Sequence, residues 1–307
     1  MKNITVVGSL NMDMSVTTLA IPAIGQTVLG KEFMTTCGGK GANQAVAAAR
    51  LGGHVSMIGC VGGDRYGEML LDSLKSNQVD TSAVRVLDGK ATGVSFITVK
   101  DGDNSIIVVP GANSFLTEKM VEKSRVLIEK SEVLLVQLEI PFCSVERAVE
   151  IAKSNHVKVI FNPAPARKLD SEFLSKIDVL TPNELECGIL AGMVVNDVES
   201  AKKAVTHLTT EGVPQVVVTM GPEGVVYNKG SAVVHQCVPK VQVADTTAAG
   251  DSFSGALALA LADGKNIDDA VLYANAVGTL TVMKKGAQIS LPFQKDVDRY
   301  FMENHGE

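Results

Sequence analysis

Tryptophan is absent from this 307-residue chain, and aromatic residues reach only 4%. So thin a supply does not suit a carbohydrate-binding surface built from stacked rings, whereas abundant Gly, Ala and Val suit helices packed closely on a sheet. An excess of basic charge is missing too: 28 Lys and Arg face 34 Asp and Glu, a net charge of −6. Nucleic-acid binders carry a basic patch, and none is visible here, which counts against that class. No run of about eighteen apolar residues exists to cross a membrane. The opening MKNITVVGSLNMD reads as a first strand and loop rather than a secretory signal. The five cysteines (Cys37, Cys60, Cys143, Cys187 and Cys237) form no Cys-x-x-Cys pair. They are expected to be reduced, mostly buried thiols of a cytoplasmic protein. His54, His156, His207, His235 and His305 are scattered, with no zinc spacing, and the hydrolase elbow G-x-S-x-G is missing.

What is present is an alternation. Short apolar or β-branched runs at Ile4–Val7, Val55–Val61, Val133–Gln137, Val157–Asn162, Val179–Pro182 and Val216–Thr219 read as strands. Helical periodicity lies between them: Tyr66, Met69, Leu70 and Leu74 share one face, as do Val145, Ala148, Val149 and Ala152. Strands alternating with helices imply an α/β fold, a mostly parallel sheet covered on both sides. Two long helices, Ala249–Ala262 and Asp268–Met283, are expected to close the chain. Residues 14–37 and 92–110 break the rhythm and read as short strands with polar turns, such as KDGDN at 100–104. Structured insertions of that length are often lids. No linker or internal repeat divides the chain, so residues 1–307 are expected to form one continuous domain with that lid.

The segment Asp245-Thr-Thr-Ala-Ala-Gly-Asp251 leads into the helix of residues 252–262. Small residues there let the backbone approach a ligand, and the unpaired N–H groups of a helix start favour an anion such as a phosphoryl group. Asp251, in the first turn, could accept a proton from a substrate hydroxyl. It could equally serve as a helix cap. Cys37-Gly-Gly-Lys-Gly-Ala-Asn43 also runs into a helix, 43–51, with Asn43 offering both donor and acceptor. It departs from the phosphate loop G-x-x-x-x-G-K-[ST], because Lys40 precedes Gly41 and Met34 stands where the first glycine belongs. Nor does Gly8-Ser-Leu-Asn match G-x-G-x-x-G, which removes the main support for dinucleotide binding. Asn11 and Asp13, after the first strand, suit a polyhydroxylated substrate or a helix cap. Asn183-Glu-Leu-Glu186 follows another strand end and could organise Mg²⁺ through water, or simply begin a helix.

These segments together resemble the ribokinase-like family of carbohydrate and nucleoside kinases, along nearly the whole chain. Residues 38–52, GGKGANQAVAAARLG, resemble its first signature, and residues 245–253, DTTAAGDSF, its second. GSLNMD, NPAPAR at 162–167, TPNELE and KGAQ at 285–288 resemble the ribose-phosphorylating branch. The resemblance implies a three-layer α/β sandwich with a β-lid that doubles as a homodimer interface. It implies that Asn11, Asp13, Gly39, Lys40, Gly41, Ala42, Asn43 and Glu139 hold the sugar. It makes Asp251 the base and Ala248, Ala249, Gly250 and Asp251 the anion hole. Asn183 and the Thr219–Gly224 turn, with Gly221 and Gly224, would contact ATP, with Asn275 near its base. Glu186 would act on Mg²⁺. Asp245, Thr247, Thr281, Lys284, Gly286 and Ser290 would surround a K⁺ ion, Lys284 through its carbonyl because an ammonium cannot ligate a cation.

One position departs from the broad pattern. Many members carry Gly-Ala-Gly-Asp where this chain has Ala248-Ala-Gly-Asp251, and a methyl group at Ala248 argues against a positive φ there. The implied reaction is in-line transfer of the ATP γ-phosphoryl to O5 of D-ribose, with 2-deoxyribose, another sugar or a nucleoside as alternative acceptors. A catalytically silent sensor is a different class; it would have no need for Asp251.

Overall fold

A computed structural model describes residues 2–100 and 103–305. Among these residues, nine strands make the main sheet. Seven of them are parallel: β1 (Asn3–Val7), β4 (His54–Gly62), β5 (Asp80–Leu87), β8 (Val133–Val136), β9 (Lys158–Phe161), β10 (Val179–Leu180) and β11 (Gln215–Thr219). Their order is β11-β10-β9-β8-β1-β4-β5. The central strands are apolar because both faces are buried, whereas β5, at the edge, mixes polar with apolar residues. Alternate residues enter opposite cores: Val133 and Leu135 face one, Leu134 and Val136 the other. One core is filled by α1 (Lys40–Arg50), α9 (Ala249–Ala262) and α10 (Ile267–Val282), the other chiefly by α5 (Phe142–Ser154) and α8 (Val198–Thr210). The result is the expected three-layer α/β sandwich. Tyr66, Met69, Leu70 and Leu74 do share the core-facing side of α2 (Arg65–Ser76), and Val145, Ala148, Val149 and Ala152 that of α5.

Four features differ from the sequence reading. The parallel edge strand β5 lies outside the six expected runs. Two antiparallel strands, β12 (Val225–Lys229) and β13 (Ala232–Gln236), extend the sheet beyond β11. A third helix, α11 (Gln294–His305), follows the two expected at the end. Cys143 and Cys237 are exposed; Cys60 and Cys187 alone are buried, with Cys37 between.

Strands β2 (Asn11–Thr18), β3 (Gly30–Gly38), β6 (Gly93–Lys100) and β7 (Asp103–Val109) form a second sheet in the order β3-β2-β6-β7. It starts three residues before the expected boundary at 14, so Asn11 and Asp13 belong to it. Of the anticipated turn at 100–104, residues 101 and 102 lie outside the described residues. Period-two alternation gives this sheet two characters. Asp13, Ser95, Ile97, Ile106 and Val108 face inward over a cavity. The opposite face carries Phe33, Phe96 and Ile107, all exposed.

Candidate active site

The parallel strands all end on one edge, and the order reverses beside β1, whose neighbours are β4 and β8. Crevices at such switch points are where open α/β sheets receive ligands. A cavity of about 340 Å³ opens there. Its wall takes Asn11, Asp13, Gly39, Lys40, Asn43, Glu139, Asn183, Glu186, Thr219 and the whole turn Ala248–Asp251. Residues spread over some 240 positions of sequence are thus brought together, Asn43 donating from Nδ2 to Asp251 Oδ2 at 2.9 Å.

Gly39 caps α1 at φ +90°, and a Cβ there would lie 2.5 Å from the Asn11 nitrogen. Only glycine lets the helix begin this close to β2. That approach sets the Lys40 N–H toward Glu139 Oε2, 3.3 Å away, where Ser9 Oγ (2.5 Å) and Asn11 Nδ2 (3.4 Å) also donate. Gly41 and Ala42 are turned away from the cavity wall. Gly41 packs against the Gly8–Ser9 backbone, and the Ala42 N–H donates to the Ser9 carbonyl at 2.9 Å.

Charge is concentrated here. Asp13, 7% exposed, is pushed up to about 7, first by burial and then by Glu139 and Asp251; the Ser95 hydrogen bond and Lys40 oppose the rise. Burial also raises Glu186, against its hydrogen bond from the Asn183 N–H. Burial alone would lower the Lys40 ammonium, but Asp251, Glu139, Glu186 and Asp13 outweigh it and hold the group above its ordinary value.

Ala248 corrects the expectation drawn from its methyl group: its φ is +62°, in the left-handed region. Such a conformation costs about 1–2 kcal/mol for an L-residue. Here it turns the chain from the Asp245 loop into α9. The Ala249 N–H closes on the Thr246 carbonyl at 3.2 Å. The N–H groups of Gly250 and Asp251, in the first turn, lie beyond the reach of any intrahelical acceptor.

The nucleotide-side positions are less gathered. Gly221 is exposed, while Gly224 (φ +93°) is buried against Gln236, whose Oε1 accepts from Asn275 Nδ2 at 3.3 Å. None of these three lines the cavity. Asn183 caps α7 (Glu184–Ala191) in a reciprocal box with Glu186, so the helix-start reading of that segment also holds.

Among the described residues no group of three or more His, Cys, Asp or Glu forms a protein metal cage. Glu186, on the cavity wall, suits a divalent ion that takes its other ligands from phosphate and water. Asp245 Oδ1 accepts from the N–H (2.9 Å) and hydroxyl (2.7 Å) of Thr247, and Oδ2 accepts from the Gly286 N–H at 2.9 Å. The Thr281 and Ser290 hydroxyls donate into the interior, to Val277 and Ala287 carbonyls. With one carboxylate, neutral hydroxyl oxygens and main-chain carbonyls, the oxygen donors of this set fit a large, weakly hydrated cation.

Sequence reasoning gave no role to Ser95, Asn113, Asn162 or Gln44. Asn113 donates from Nδ2 to Asn11 Oδ1 at 2.7 Å and exchanges hydrogen bonds with the main chain of Leu10, which fixes the Asn11 amide. The NPAPAR run drew attention to Asn162 without showing where its side chain goes. Gln44, beside Asn43, carried a signal in its place: an amide within an alanine-rich helix that packs on the sheet.

The family model for pfkB family carbohydrate kinases matches residues 1–294. The chain is 43% identical over 299 residues to a ribokinase of Haemophilus influenzae, covering 96% of this chain and 97% of that protein. It is 34% identical over 304 residues to a deoxyribokinase of Salmonella typhi, covering 98% and 99%. A ribokinase of Arabidopsis thaliana, solved in complex with ribose and ATP, superposes with a TM-score of 0.90 at 34% identity over 98% of this chain and 99% of that one.

Proposed function

Because the chain belongs to the pfkB family of carbohydrate kinases, we propose that it is a ribokinase, phosphorylating D-ribose at O5 with ATP to give D-ribose 5-phosphate and ADP. It is an ATP-dependent sugar kinase, and ATP-dependent transfer of this kind uses a divalent metal. The observation that carries the reading is Asp251: a carboxylate on the cavity wall, in the first turn of α9, facing Asn43 of the first signature.

In this reading the sugar lies between Asn11, Asp13, Gly39, Asn43 and Glu139. The Asn43 Oδ1 is a buried acceptor with no protein partner, and a sugar hydroxyl would donate to it. Asp251 takes the proton of the attacking hydroxyl as the O5–phosphorus bond forms and the bond to ADP breaks. The N–H groups of Gly250 and Asp251 and the dipole of α9 receive the charge that spreads over the phosphoryl oxygens. Lys40 offsets the surrounding carboxylates. Gly41 and Ala42 act through the backbone that places Asn43. Asn183, Thr219, Gly221, Gly224 and Asn275 bound the nucleotide, and Glu186 would hold Mg²⁺, which supplies charge neutralisation on the phosphates. Asp245, Thr247, Thr281, Lys284, Gly286 and Ser290 would hold K⁺.

The exposed Phe33, Phe96 and Ile107 on the outer face of the small sheet support a homodimer through that face. No helix among the described residues is long and apolar enough to cross a membrane, and free cysteines fit a cytoplasmic setting.

The test is Asp251→Asn, expected to lose roughly two to four orders of magnitude in turnover while ATP binding persists. ADP release with ribose, 2-deoxyribose, fructose and adenosine separates the acceptors. Buried Asn11 and Asp13 should favour ribose over its deoxy analogue by roughly tenfold to a hundredfold. Equal kcat/KM for both sugars would favour the deoxyribose reading.

A further inference from the structure

Asp251 is held on both of its oxygens, and one of the two holders stands outside the cavity wall. Asn43 Nδ2 serves Oδ2, while Gln44 Nε2 donates to Oδ1 at 3.0 Å. Gln44 is fully buried on α1. Its contacts fix which way the amide faces, beginning from an atom that can only accept. The Thr181 main-chain carbonyl receives Asn162 Nδ2 at 2.9 Å, so Asn162 Oδ1 points the other way, toward Gln44. An oxygen there requires a donor, and Gln44 Nε2 supplies it at 3.2 Å. The remaining N–H of the same nitrogen goes to Asp251, and Gln44 Oε1 accepts from Gln137 Nε2 at 2.5 Å. Turned over, Gln44 would set its oxygen against both Asp251 Oδ1 and Asn162 Oδ1, with those two hydrogen bonds lost in a buried site.

We infer that Gln44 is a positioning residue for phosphoryl transfer: a buried amide chain anchored on the Thr181 carbonyl orients Gln44, and Gln44 sets the plane of the Asp251 carboxylate. The inference rests on Asp251 being the base. As O5 attacks phosphorus and ADP leaves, the hydroxyl proton passes to a lone pair of Asp251. That transfer is efficient only when the lone pair is aimed along the O–H bond, because misplacement by about 1 Å can cost a hundredfold. Packing alone does not account for the amide. Helices α1 and α9 already meet closely at Gly255, where a Cβ would lie 2.7 Å from the Gln44 carbonyl. An apolar side chain would fill the same place without aiming anything.

The experiment is a double-mutant cycle on Gln44→Met and Asp251→Asn, read as kcat and as KM for sugar and for ATP. Gln44→Met should lower kcat by roughly tenfold to a hundredfold and shift either KM by less than about threefold. In the Asp251→Asn background it should lower the residual rate by less than about threefold, because there is no base left to aim. Equal losses in both backgrounds, or a loss confined to the sugar KM, would overturn the inference. Gln137→Met provides the second route, since it leaves Gln44 in place but removes the hydrogen bond that its Oε1 accepts. It should lower kcat alone by roughly threefold to tenfold, and an unchanged kcat overturns the inference. Full activity in Asp251→Asn would instead overturn the base assignment, and full activity in Gln44→Met beside an impaired Asp251→Asn would overturn the positioning role alone.

Discussion

Replacing Asp13 by asparagine should stabilise the ligand-free protein in neutral to alkaline solution while weakening it as a catalyst. Asp13 is a buried carboxyl carried from 3.8 to about 7 in the folded protein. Below pH 3.8 it is neutral in both the folded and the unfolded chain. As the pH rises from there to about 7, the unfolded chain releases the proton and the folded one keeps it. Stability therefore falls by about 1.4 kcal/mol per pH unit. Above pH 7 both forms are ionised and the penalty levels off at about 4 kcal/mol. Asparagine does not titrate. Between pH 5 and pH 8 the advantage of Asp13→Asn over the native chain should accordingly widen by about 2–3 kcal/mol. For a chain of this size that is a difference in Tm growing by roughly 3–5 °C. Scanning calorimetry of both proteins without ligand, at pH 5, 6, 7 and 8, measures it. A gap that stays constant or narrows as pH rises would refute the reasoning. In the same variant the sugar KM should rise roughly tenfold, because a hydroxyl loses its charged partner.

Gly39→Ala should destabilise the protein by roughly 2–4 kcal/mol, from the positive φ and the contact with Asn11. It should also raise the sugar KM more than the ATP KM; thermal unfolding and steady-state kinetics check this, and an unchanged Tm counts against it. Ala248→Gly should relieve a left-handed alanine, offset by the greater freedom of glycine in the unfolded chain. The net gain is at most about 1 kcal/mol by denaturant titration, and a loss of more than that would show that the methyl group packs favourably. Turnover at saturating ATP should rise with KCl at constant ionic strength held by choline chloride, with little response to Na⁺. Asp245→Ala should abolish that response, and a flat profile rules out the cation site.

Much of the site could be read because its signatures are local. Glycines before a helix mark where backbone approaches ligand, and an aspartate in the first turn marks where a base could stand, so Gly39, Asn43 and Asp251 are visible within segments of a few residues. The parallel core was equally legible except at the half-exposed edge strand β5, since strands buried on both faces are short apolar runs whatever their partners. The antiparallel strands β12 and β13 escaped because Val225–Lys229 and Ala232–Gln236 mix polar with apolar residues, and β13 lies half-exposed at the edge of the sheet. Helix α11 escaped for a similar reason: its sequence, QKDVDRYFMENH, is mostly polar.

What the sequence determined by itself is the order of local features along the chain: a glycine turn before α1, an acidic helix start at α7, and a turn of small residues before α9. Tertiary structure alone decided how the groups are aimed. Asn43 and Gln44 meet Asp251 across more than 200 residues, and Asn113 fixes Asn11 across about 100. An amide carries a donor and an acceptor at opposite ends of nearly equal shape, so its direction is set only by the partners that folding brings to it. The same holds for Ala248. Its left-handed turn is disfavoured by its own methyl group, and it persists because the Asp245 carboxylate, tied to Thr247 and to Gly286, holds the chain on the path that enters α9.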